Sequence, residues 1–161
     1  MIILFKPKFV CFAVFFIAVS LFLTSVASQI FFSEKPCQLC LISRYSYLVV
    51  AMFAILSLKI RIFKPLLLLG ITFALLFGLY HLGVENHWWS GPQSCVSELP
   101  VLENITTRNF MENSKVYCDR VNWKILGISS TLWSFLISAF LFWFVSISYV
   151  LNFYLKRLED E

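Results

Sequence analysis

Charge is what this chain has least of. Asp, Glu, Lys and Arg make up 14% of its 161 residues, while 60% are hydrophobic; a soluble domain carries about 25% charged residues. A soluble fold of this length buries a core but clothes the rest in charge, so the scarcity excludes a water-solvated globule and calls for a bilayer as solvent. No poly-basic tract with interleaved aromatics accompanies the formal net charge of +4, so nucleic acid is not an expected partner. Internal repeats and low-complexity tracts are missing, and so are the alternating segments of about 10 residues that build membrane barrels.

What is present is four long apolar segments, running from about Phe9 to Phe32, Leu41 to Leu58, Pro65 to Gly83 and Ile125 to Phe153. Each reaches or nearly reaches the roughly 20 residues a helix needs to cross about 30 Å of hydrocarbon. Backbone groups inside a bilayer must pair within their own segment, so these segments are expected to be helices. The expected fold is an all-α, four-helix transmembrane bundle, a single membrane domain over 1–161 with a long outward loop between spans three and four (84–124). A cleaved signal peptide is the alternative for the first segment, with Lys6 and Lys8 before it and small residues at Val26, Ala27 and Ser28. Its apolar run continues to Phe32, longer than the usual signal core of about 7–15 residues, which favours a span.

Basic residues set the orientation. Lys6 and Lys8 precede the first span, Lys59, Arg61 and Lys64 separate the second from the third, and Lys156 and Arg157 follow the fourth. With four spans all three clusters fall on one side, which the positive-inside rule makes cytoplasmic. The other side holds a short segment leading into Cys37 and the loop 84–124, whose charge is mixed. Within that loop 99–116 is a candidate surface helix. Trp88, Trp89 and Trp123 sit where an interfacial aromatic belt is expected, and Gly78 and Gly83 suit close helix packing. Asn104-Ile105-Thr106 matches a glycosylation sequon and is taken as chance.

Of five cysteines, Cys11 lies within the first span and is expected to pack as a small apolar residue. Cys37, Cys40, Cys95 and Cys118 all fall on the outward, oxidising side, where disulfides persist. Four cysteines allow three pairings. Cys37-Gln38-Leu39-Cys40 is a C-x-x-C motif, and Pro36 before it marks a helix start, where N–H groups favour a thiolate. Arg44 lies four residues after Cys40 on the same helical face. An arginine in a span is expensive. Either it snorkels to headgroups, or it holds an anion at that spot, a thiolate or the oxygen of a reduced lipid-soluble cofactor; its coincidence with C-x-x-C favours the anion. A bridge between Cys95 and Cys118 is expected to be exposed on a mobile loop, open to attack by another protein's thiolate; the competing role is a structural staple. The spacing is a weak match to a four-cysteine zinc site, so no metal is expected.

The ordered set Cys37-Gln-Leu-Cys40-Leu-Ile-Ser-Arg44, Gly78-Leu-Tyr-His81-Leu-Gly83-Val-Glu85, Trp88-Trp89-Ser-Gly91-Pro92-Gln-Ser-Cys95, Cys118-Asp119 and Trp123-Lys-Ile-Leu126-Gly127-Ile-Ser129 resembles the DsbB family of disulfide-generating membrane proteins over nearly the full chain. The resemblance implies a quinone-dependent thiol oxidoreductase of the bacterial inner membrane, with both termini cytoplasmic and the cysteine loops periplasmic. The pair matching Cys95 and Cys118 oxidises a soluble, DsbA-type thioredoxin-fold partner, with Cys95 taking the mixed disulfide. Electrons pass to the pair matching Cys37 and Cys40, and the thiolate matching Cys40 donates to ubiquinone or menaquinone beside Arg44. His81, Glu85 and His87 are candidates for the polar groups near the quinone. A vitamin K epoxide reductase-like quinone reductase is the enzymatic alternative, disfavoured because its membrane-proximal C-x-x-C follows the loop pair. A tetraspan structural protein stapled by two static disulfides is the non-enzymatic one.

Overall fold

A computed structural model describes residues 7–32, 36–60, 62–92, 95, 118–119, 121 and 124–159. Among the described residues there are four helices, α1 (Pro7–Phe32), α2 (Gln38–Lys59), α3 (Phe63–Glu85) and α4 (Ser130–Glu159), with a two-stranded ladder, β1 (Lys124–Ile125) and β2 (Ile128–Ser129), immediately before α4. All four helices are long and apolar enough to cross a membrane. At 1.5 Å per residue the 26 residues of α1 extend about 39 Å, enough for the roughly 30 Å of hydrocarbon with a little less than a turn to spare at each end. The expected all-α, four-span architecture is the observed one.

Local chemistry explains most helix ends. Pro7 opens α1, where a missing N–H costs nothing. Pro65 falls in the first turn of α3 for the same reason. The fourth helix departs from expectation: it begins at Ser130 rather than near Ile125 and runs on to Glu159. Hydropathy alone merges Ile125-Leu126-Gly127-Ile128 with the span. In the structure Leu126 (φ 53°) and Gly127 (φ 81°) form a two-residue turn of the type I′ kind, pairing Lys124 with Ser129 and Ile125 with Ile128. Ser129 Oγ then accepts the Leu132 N–H at 3.2 Å and caps α4. At the other end nothing in Tyr154-Leu155-Lys156-Arg157 breaks a helix, so α4 continues past the apolar run.

The helices pack in sequence order, α1 on α2, α2 on α3 and α3 on α4, while α1 and α4 touch little. The larger of two core clusters includes Val14, Ala18, Val50, Ala54, Leu67, Ile71, Leu141 and Val145. Small residues bring the axes together, as expected where lipid supplies no hydrophobic drive between helices. A Cβ on Gly78 would meet the Phe135 backbone at 3.5 Å, an ordinary van der Waals contact, so α3 and α4 come close here without strictly requiring a glycine. Gly83 has a different role: the Trp89 ring occupies the space a Cβ would need, and Trp89 stacks on Tyr80 and donates its indole N–H to the Tyr80 carbonyl at 3.0 Å. The outward-facing surface is large and apolar, with Phe16, Leu69, Phe140 and Phe153 all exposed, as lipid contact requires.

Cys11 is buried in the main core with Val10 and Val14, at the end of the bundle away from the other cysteines. Cys11→Ala should leave dithiol oxidation within about twofold of wild type and lower stability by about 1 kcal/mol, the scale of a small lost core group. Steady-state rates and thermal melts in detergent check it; an inactive, folded variant would give Cys11 a redox role. The candidate surface helix at 99–116, the sequon and Trp123 lie outside the described residues.

Candidate functional site

The second helix starts at the C-x-x-C motif. Cys37 is the N-cap, and its Sγ accepts the Cys40 N–H at 3.1 Å. Cys40 therefore sits in the first turn, where unpaired N–H groups concentrate positive potential. Both thiols are free in the structure. Cys37 lies just outside the span, and the Cys40 thiol's hydrogen bond holds it below the ordinary thiol range. Burial opposes that shift, and the backbone N–H groups of Cys40 and Leu39 add to it. Across from the motif, α3 presents His81, which is buried, with Nε2 3.7 Å from Cys37 Sγ.

The loop cysteines are bonded to each other, Cys95 to Cys118, and the Cys118 N–H donates to the Cys95 carbonyl at 2.7 Å. Here one expectation is overturned. The bridge is not exposed far from the membrane core: each half-cystine is 1% exposed, packed with Cys37, Leu39 and Val84 in a second apolar cluster that Cys40 and Phe77 border. Apolar surface on both partners drives that docking. The two cysteine pairs thus share one buried neighbourhood at the end of the bundle.

Beneath the motif is a cavity of about 460 Å³, large enough for a small-molecule ring system. Cys40 lines it and Cys37 does not. Arg44, Ser43 and Tyr47 continue the α2 wall, Gly78 and His81 contribute from α3, and Ser130, Thr131 and Ser134 from α4. Of the residues expected near a cofactor, Arg44 and His81 are on the wall. Glu85 and His87 are not: Glu85 is the last residue of α3, and His87 is exposed in the turn beyond it with φ 57°.

Sequence reasoning missed what fixes Arg44. Its Nε donates to Ser25 Oγ at 3.0 Å, Nη2 to the Ser25 carbonyl at 2.8 Å and Nη1 to Gln29 Oε1 at 2.9 Å. A guanidinium has five N–H donors, so the fork is clamped to α1 with donors to spare for an oxygen in the cavity. The arginine is therefore not a loose snorkelling chain. The overlooked signal is a polar stripe in an apolar span: Thr24 with Ser28, and Ser25 with Gln29, each four apart and all on the cavity wall. Tyr47 ties the α2 wall to α4, its hydroxyl donating to the Ser134 carbonyl at 3.0 Å and sharing a 2.9 Å bond with Ser138 Oγ.

The family model described as "Disulfide bond formation protein DsbB" matches residues 7–147. No curated protein and no solved structure matches the chain significantly.

Proposed function

Because the chain belongs to the DsbB family of disulfide bond formation proteins, whose activity is that of a membrane thiol oxidoreductase, we propose that it reoxidises a soluble, DsbA-type dithiol protein and delivers the electrons to a membrane quinone. The observation that carries this reading is the placement of the C-x-x-C pair between two neighbours. Cys37 packs with the Cys95–Cys118 bridge, and Cys40 faces the cavity beside Arg44.

The steps follow from that arrangement. A thiolate of the partner attacks Cys95, forming a mixed disulfide and freeing the Cys118 thiolate; the partner's second thiol displaces Cys95 and leaves oxidised. The loop dithiol reduces a Cys37–Cys40 disulfide by the same two-stage exchange, so two electrons and two protons move inward and no sulfur is lost. Cys37, in contact with the loop pair, is the sulfur to be attacked, which releases Cys40 as a thiolate; in the second stage Cys37 itself leaves as a thiolate stabilised by the N–H groups around it. Since the bridge is buried, Cys95 and Cys118 must come away from Cys37, Leu39 and Val84 before the partner reaches Cys95; the approach needs a local opening.

The residues of the cavity fit a quinone. It is apolar along most of its wall, roomy enough for the head group, and has a clamped guanidinium on the same wall as Cys40. Arg44 and His81 would hold the ring oxygens. A bound ubiquinone or menaquinone supplies the two-electron, two-proton acceptor that lets Cys37 and Cys40 close again. Arg44 offers fixed positive charge where an oxyanion develops, and His81 offers a ring nitrogen for a proton. Basic residues at the other end of the bundle, Lys59, Lys64, Lys156 and Arg157, support cytoplasmic termini and periplasmic cysteine loops. The chain is read as one four-span domain.

A trapping experiment tests the entry point. A partner that keeps only its attacking cysteine should form a covalent adduct with the purified protein, reductant-sensitive and mapped by peptide mass spectrometry to Cys95. An adduct on Cys37 or Cys40, or none with the bridge intact, would contradict the proposed route.

A further inference from the structure

Among the described residues, one group of three soft ligand atoms converges: the two Sγ of Cys37 and Cys40 and a ring nitrogen of His81 all lie within 4.8 Å of one another. Cys37 Sγ and His81 Nε2 are already 3.7 Å apart. A tetrahedral zinc with Zn–S of about 2.3 Å and Zn–N of about 2.0 Å separates its sulfur and nitrogen ligands by about 3.5 Å. Only a few tenths of an ångström divide the observed spacing from that requirement. The three ligands come from the N-cap of α2, its first turn and the buried face of α3. Cys40 and His81 also line the cavity, so a fourth coordination position opens into it and has room for water.

We propose that the dithiol form of the protein binds one thiophilic divalent cation, Zn²⁺ in the first instance, through Cys37, Cys40 and His81. Two cysteine sulfurs and one imidazole are the ligand types zinc prefers, and three protein ligands with an open fourth position is a coordination zinc adopts readily. Binding releases the two thiol protons to solvent and transfers no electron. The disulfide form has no thiolate to offer, so the site exists only when the pair is reduced. A bound ion holds both sulfurs apart from oxidation, and zinc then opposes reoxidation of the pair. That last consequence rests on the function proposed above; the binding does not.

The test uses the full-length protein in detergent, freed of quinone, reduced anaerobically, and titrated with Co²⁺ as a spectroscopic substitute displaced by Zn²⁺. The reduced protein should take up one Co²⁺ per chain with a sulfur-to-cobalt charge-transfer band. The oxidised protein should show no band. Cys11→Ala and the double variant Cys95→Ser/Cys118→Ser should keep the band, and His81→Gln should weaken binding by more than about tenfold, since even outer-shell changes cost about 10–100-fold. No band in the reduced protein, loss of the band with the loop cysteines, or unchanged affinity in His81→Gln would each overturn the proposal. A protein that binds Co²⁺ in this way but never oxidises a dithiol would leave the metal site standing and contradict the proposed function instead.

Discussion

Arg44→Ala should slow quinone reduction by the Cys37–Cys40 pair by about 10²- to 10³-fold, the usual loss when one preorganised donor to a developing oxyanion is removed. Exchange between the loop bridge and the partner should stay near the wild-type rate, because Arg44 lines the cavity and is not part of the cluster around Cys95 and Cys118. Anaerobic stopped-flow separates the two steps, following quinone absorbance for one and the partner's fluorescence for the other. Arg44→Lys should recover only part of the loss. A lysine keeps the charge but not the planar fork that Ser25 and Gln29 hold in place. Equal loss in both steps for Arg44→Ala would show that the arginine supports the fold and not the electron acceptor.

The second large effect belongs to the loop pair. Cys95→Ser/Cys118→Ser should abolish oxidation of a folded dithiol partner, a fall of about 10³-fold or more, the order seen when a covalent nucleophile is removed. Yet it should leave quinone reduction driven by a small dithiol such as dithiothreitol largely intact. The reason is geometric. Cys37, as buried as the loop cysteines, is fixed at the N-cap of α2 and cannot swing out to a protein partner, while Cys40 is half-buried and faces an open cavity that a small molecule can enter. Loss of both activities in a folded double variant would mean that the bridge is needed to shape the C-x-x-C site. Retention of both would remove the loop pair from the electron path and favour a static staple.

Much of this site is readable in the sequence because its chemistry is local. Spacing puts Cys37, Cys40 and Arg44 on one helix, and Pro36 and the polar start of α2 set its N-terminus, so the motif's register needs no tertiary information. The four spans are similarly local, as hydropathy measures a transfer energy residue by residue. Three features are not. The burial of the Cys95–Cys118 bridge depends on docking against Val84 and Leu39, which periodicity within the loop does not encode. The clamp on Arg44 pairs residues 15 and 19 positions away, visible only once α1 and α2 are packed. The start of α4 is lost to hydropathy because an apolar Leu-Gly turn reads like a span, although Gly127 and the capping Ser129 marked the break. His81 and His87 show the same division. Both are polar groups near the end of α3, but only the one whose helical phase faces α2 reaches the cysteines.

Electron flow from dithiol to quinone through Cys40 is tested most directly by comparing quinol formation by purified wild-type protein and Cys40→Ser, each supplied with reduced DsbA-type partner and either ubiquinone or menaquinone. Wild type should give stoichiometric quinol and oxidised partner, and Cys40→Ser no quinol although its loop bridge still accepts one round of electrons from the partner. Undiminished quinol formation by Cys40→Ser, or no turnover by folded wild type with either quinone, would contradict this route.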